Sequence, residues 1–220
     1  MTRFTPGARY DGGTRFFHWL VVLLFLAQIP AGVAMIVPAQ VGEFQALPGV
    51  EQSTIDTLYI LHKGLGAILI AVIFARVAWR VTHRSPPLPN TIPELERRIA
   101  KATHASLYVL MVLMVVTGYI HVIGLGFPIE LLDALGVPPL IPRMERLAVI
   151  SSFVHRATAF LLVSLVGVHV GEVLRHHFVL KDGVLGRMWP PIGGGPAQPM
   201  DPGPEEPRAV PPSTFDSSSR

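Results

Sequence analysis

The stretch that decides the fold is residues 147–174, LAVISSFVHRATAFLLVSLVGVHVGEVL. Arg156 and Glu172 are its only charged residues, and as a helix it measures about 42 Å at roughly 1.5 Å per residue. That exceeds the roughly 30 Å hydrocarbon core of a bilayer, and it is too long and too apolar for a strand or for one buried core helix. Working outward, three further stretches have the same character: about 16–37, 58–79 and 104–125. Half of the 220 residues are hydrophobic and 15% are charged, against about 25% charged in a typical soluble domain. The mean hydropathy is +0.47. These features predict an all-α membrane protein, a four-helix transmembrane bundle in contact with the lipid bilayer.

Four crossings put both termini on one side, together with the connection between spans two and three. That side holds 14 of the 18 Lys+Arg residues; Lys63, Arg143, Arg146 and Arg156 make up the other side. By the positive-inside rule the termini are expected in the cytoplasm. The net charge of +3 leaves no footprint for a nucleic acid. The absence of cysteine excludes disulfides, thiolate-ligated clusters and covalently attached c-type haem. Residues 1–190 are expected to form the transmembrane domain. Residues 191–220, rich in Pro, Gly and Ser, cannot bury enough surface to offset chain entropy and are expected to be a disordered tail. The run Ser85-Pro-Pro-Leu-Pro89 predicts a stiff turn before a short basic helix at about 93–102, and an amphipathic turn is expected at 129–135.

Nine histidines remain as the soft ligands. His155 and His169 stand fourteen residues apart, about 21 Å along one helix and only about 40° apart around it. His62 opens span two at the height of His155, and His18 opens span one at the height of His169. Ionisable groups inside a span are costly and tend to be functional. Paired imidazoles on facing helices are the ligand set of a b-type haem, which needs no covalent anchor. The spacing points to two haems, one above the other, against the plainer reading of four interfacial histidines. Gly64, Gly66, Gly167 and Gly171 would allow a flat macrocycle close approach, and Lys63 and Arg156 follow the outer ligands where propionates could pair. Arg76 is a topology anchor or a propionate partner. His104 is an alternative ligand, a quinone partner or an interfacial residue. His176 and His177 are surface residues or proton carriers, while His121 and His83 read as structural.

The motifs Arg15-Phe-Phe-His-Trp19, His62-Lys-Gly-Leu-Gly66, Arg76-Val-Ala-Trp-Arg80, Thr82-His-Arg-Ser-Pro-Pro87, Thr103-His-Ala105 and His176-His-Phe-Val-Leu-Lys-Asp182 together resemble the bacterial cytochrome b561 family over about residues 10–190. The resemblance implies a dihaem cytochrome of the bacterial inner membrane, with His18 and His169 on one haem b, His62 and His155 on the other, and electron exchange with ubiquinone. Some members of that family look like superoxide oxidases, which makes superoxide a candidate donor at the basic outer residues. Two other functions compete: a cytochrome b anchor subunit docking a redox partner protein in a hydrogenase- or dehydrogenase-type complex, and a haem-free proton relay.

Overall fold

A computed structural model describes residues 9–40, 51–83, 85–86 and 92–189. The expected tail at 191–220 and most of the stiff turn expected at 85–89 lie outside them. Four helices are long and apolar enough to cross a membrane. They are α1 (Gly12–Gln40), α2 (Gln52–Thr82), α3 (Glu94–Gly124) and α5 (Glu145–Leu174), with a short α4 (Glu130–Ala134) between the last two. Among the described residues every regular element is helical. Each long helix outruns its apolar stretch. Residues 93–102, expected as a separate helix, are continuous with α3, because the charged run Glu94–Lys101 lacks any Gly or Pro to break it. The turn at 129–135 is α4, as the sequence suggested.

Helix α3 packs along α5 and α1 along α2, and α2 joins the two pairs through α3. All four meet in a core of Val21, Leu69, Ile73, Met111, Val115 and Leu162. Large apolar side chains such as Leu23, Val109, Phe153 and Phe160 point outward, which suits a surface solvated by lipid. Near its end, α3 crosses α5 so closely that a Cβ on Gly124 would stand 2.9 Å from Ala148 Cβ. A glycine is needed for that approach.

The two ends of the bundle are fastened differently. On the side of the termini, Asp11 caps α1: its Oδ1 accepts the Thr14 amide at 2.8 Å and the Trp79 indole N–H at 2.9 Å. The indole lies on Gly13, where a Cβ would overlap it, and stacks on His83 with ring centres 3.8 Å apart. Beyond α5 a π-helical turn (Arg175–Leu180) ends at Lys181 in the left-handed region, φ 52°. The chain then doubles back through the turn Leu185–Arg187. Arg187 is buried, lies over the Tyr10 ring and donates to the Pro86 carbonyl, while Trp19 donates to the Met188 carbonyl at 3.0 Å. This strap ties the start of α1 to the α2–α3 connection. At the opposite end Lys63 donates to Glu130 at 2.6 Å and to the Pro128 carbonyl at 2.9 Å, fixing α4 onto α2.

Burial raises the Asp11 carboxyl pKa, but the hydrogen bonds from Thr14 and Trp79 outweigh it and hold the group below the usual carboxylate value. A depressed folded pKa contributes stability that is present above the unfolded pKa and lost as pH falls through the folded one. Asp11→Ala is therefore expected to lower stability by about 1 kcal/mol at neutral pH. The gap from wild type should close on acidification below the normal carboxylate range. Thermal unfolding of the detergent-solubilised protein across pH checks this; a deficit that persists unchanged at low pH refutes it.

Candidate functional site

The four intramembrane histidines stand as two pairs. On the side of the termini, His18 of α1 faces His169 of α5, with ring centres 6.4 Å apart and planes at 75°. On the far side, His62 of α2 faces His155 of α5, also at 6.4 Å, with planes at 86°. Two imidazoles bonded trans to one metal through bonds of about 2 Å, plus the two ring radii, come to about 6 Å from centre to centre. Each pair therefore has room for one metal between its rings. His104 of α3 reaches His169 at 5.3 Å, closer than that spacing.

The far-side pair is held from behind. His155 Nδ1 lies 3.0 Å from the Met114 carbonyl and 3.4 Å from Thr117 Oγ1. A carbonyl only accepts, so Nδ1 carries the proton and Nε2 is left with a lone pair for a metal. Thr117 Oγ1 in turn donates to the Leu113 carbonyl at 2.7 Å. The ring lies against Gly118, where a Cβ would come within 2.9 Å of His155 Cε1. Gly32 of α1 does the same for His62, at 3.2 Å. His62 Nδ1 is buried with no hydrogen-bond partner. Gln28 of α1 is buried beside it; Nε2 donates to the His62 carbonyl at 2.9 Å, and Oε1 is left unpaired.

The terminus-side pair has a cation instead. Arg76 Nη2 stands 3.3 Å from His18 Nδ1, and the guanidinium lies 5.4 Å from the Tyr108 ring centre. Its Nε and Nη1 are buried without a hydrogen-bond partner. Thr14, Phe17, Arg76, Trp79, Arg80 and Tyr108 line a crevice here that is too narrow for a water molecule. Orphaned donors of this kind leave an unmet need that an anionic partner would satisfy.

Other candidates sit apart. Lys63 is committed to Glu130, and Arg156 is exposed beside His155. Gly64 packs against Leu131 of α4 and Gly66 against Gln28, whereas Gly167 and Gly171 border open space. His176 pairs with Asp182 to close the turn after α5, and His177 rests edge-on against Phe178. His121 reaches the Ala148 carbonyl at 3.3 Å and His83 stacks on Trp79. Sequence reading passed over Gln28, Gly32, Thr117, Gly118 and Tyr108. Gln28 had a signal, as the one polar residue besides His18 in the run 16–37; the others had none, because their role is to face a side chain on another helix.

Residues 9–191 match the family described as prokaryotic cytochrome b561. Cytochrome b561 homolog 2 of Escherichia coli (strain K12) is 30% identical over 182 residues, covering 82% of this chain and 90% of the relative. Cytochrome b561 homolog 1 of the same organism is 24% identical over 182 residues, covering 83% of this chain and 97% of the relative. With a family match across most of its length and four membrane-crossing helices, the chain belongs to the prokaryotic cytochrome b561 family, a family of multi-pass membrane proteins that transfer electrons across the membrane with b-type haem.

Proposed function

We propose that this chain carries single electrons across a bacterial inner membrane through two b haems and exchanges them with ubiquinone, its termini in the cytoplasm. The observation that carries the reading is the equal 6.4 Å spacing of the two imidazole pairs at two heights of one bundle. Haem supplies reversible one-electron chemistry at each height; the chain supplies ligands, orientation and a dry surround. His18 with His169, and His62 with His155, are the ligand pairs.

The remaining residues fit supporting parts in this reading. The Met114 carbonyl holds the His155 proton on Nδ1, so that Nε2 is always presented to the pocket. Gly32 and Gly118 set how far each far-side ring can lean back. Arg76, with two unpaired donor atoms, is the partner for a terminus-side propionate. His104, against His169 rather than across a metal's width from it, is placed for a hydrogen bond to a bound group rather than for ligation. The pair His176–Asp182 is a proton carrier on the side where a quinone would be reduced. Lys63 already neutralises Glu130, so a superoxide donor would be drawn in by Arg143, Arg146 and Arg156.

Replacing either member of a pair tests the ligand assignment. His62→Ala or His155→Ala is expected to halve the haem per chain, sparing the terminus-side haem, and His18→Ala or His169→Ala to do the converse. Haem quantification and reduced-minus-oxidised spectra check this. A single variant that keeps two haems with unchanged bands sinks the assignment, and loss on His104→Ala but not on His18→Ala would move the ligand to α3.

Gly118→Ala probes the cradle. The added methyl must push the His155 ring, so the far-side haem is expected to be lost or its low-spin bands shifted while the other is untouched. Gly167→Ala, into open space, should leave both spectra as they are. Topology is tested by fusing a reporter after residue 189. A fluorescent protein that folds only in the cytoplasm should light up, and a periplasm-dependent phosphatase should stay silent.

A further inference from the structure

The connection from α3 to α5 turns an apolar surface outward at the far end of the bundle. Leu135, Val137 and Leu140 are exposed, Leu135 by 67% and Leu140 by 79%. Residues 134–142, ALGVPPLIP, carry no charge. The segment is held at both ends. Ile129 is buried and Glu130 pairs with Lys63 of α2, while the Met144 amide donates to the Gly124 carbonyl at 2.9 Å. It forms a fixed hook.

Its height in the bundle decides what it meets. Leu131 of α4 lies against Gly64 of α2. Helix α2 runs on from that contact to Gln52, about 18 Å further out at roughly 1.5 Å per residue. In the other direction Arg80 is about 24 Å away along the same helix, within the roughly 30 Å of a hydrocarbon core. The hook therefore stands level with the far-side edge of the hydrocarbon, well below the top of α2. Its backbone suits that level, because lipid offers no partner to a free N–H. Of the six residues 137–142, three are proline and have no N–H. The Val137 amide donates to the Leu132 carbonyl at 2.9 Å, and the Leu140 amide to the Tyr119 hydroxyl at 2.8 Å. That leaves Ile141, itself half-buried.

We infer that this hook is a membrane anchor, with Leu135, Val137 and Leu140 set into the far-side leaflet at the head-group boundary. It continues the apolar surface that α5 turns outward at Val149, Ile150 and Phe153. Arg143 and Arg146 follow at once, exposed and in no ion pair among the described residues. Side chains of that length lay their stems along apolar surface and reach lipid phosphates with their charged ends. A docked protein would also cover the leucines, but it would supply partners to backbone donors and would not call for a segment stripped of them. The anchor is independent of what the histidine pairs hold.

The chain has no cysteine, so single-cysteine variants take a nitroxide label at one place only. Leu140→Cys and Leu135→Cys are compared by power-saturation EPR in the full-length protein, reconstituted into vesicles of phosphatidylcholine and phosphatidylglycerol. Oxygen concentrates in lipid and a nickel chelate in water. Both labels are expected to collide several-fold more with oxygen than with the chelate, as should a label at the outward-facing Phe160 of α5. A label at Gln52 should show the reverse. If one of the two hook variants fails to fold, the other decides. A hook label that meets the chelate as Gln52 does puts the segment in water and overturns the inference. A label shielded from both reagents overturns it in favour of a protein contact, with a second copy of the chain or with a partner.

Discussion

Helix geometry couples the two sites of this protein through α5. Fourteen residues separate His155 from His169, close to four whole turns, so one face of one helix presents an imidazole near each membrane surface. The backbone positions that carry the two rings are fixed relative to each other by one helix, and the rest of the bundle is arranged around that rod. Helices α1 and α2 each bring one partner, His18 and His62, at matching heights. Helix α3 contributes neither member of a pair; it supplies the wall against which α5 is packed and the carbonyl that orients His155.

That wall works because it is thin where it has to be. In a bilayer, helices gain little from apolar contact that lipid would not also provide, so close approach and hydrogen bonds carry the packing. Gly124 lets α3 meet Ala148 of α5, and six residues earlier Gly118 leaves room for the His155 ring. Gly32 does the equivalent in α1 for His62. A methyl at any of the three would have to displace a neighbour, and at Gly32 and Gly118 that neighbour is an imidazole. Packing and site geometry are thus set by the same residues.

Polar groups within the bundle divide into satisfied and unsatisfied sets. Thr117, His121 and Lys63 each reach a carbonyl or carboxylate. Buried atoms without a partner include those on His62, Gln28 and Arg76 beside the two pairs, and on Glu130 at the start of α4. An interior that leaves such atoms without partners is costly unless a further group completes it. A b-type haem held as proposed by these histidines, with its carboxylates toward Arg76, would complete both. The strap at 185–189 has a different purpose. It closes the terminus end with indole, guanidinium and backbone contacts that involve no paired histidine.

The order of the elements was legible in the residues alone, because lipid imposes a length and a composition on anything that crosses it. The spans, the helical class, α4 and the four paired histidines follow from apolar runs and from the 3.6-residue period. The motifs Arg15–Trp19 and His62–Gly66 carried the family. What periodicity could not show is which helix stands behind which ring. The roles of Gly32, Gly118 and Met114, the Lys63–Glu130 contact, and the unbroken run of 94–124 as one helix came only with the tertiary structure. The Lys63 contact is instructive. Its position beside His62 suggested a propionate partner, but a carboxylate 67 residues later in sequence reaches it first. Local pattern determines which face a side chain occupies; its partner across the bundle depends on how the helices turn toward one another, and that is a property of the packed structure.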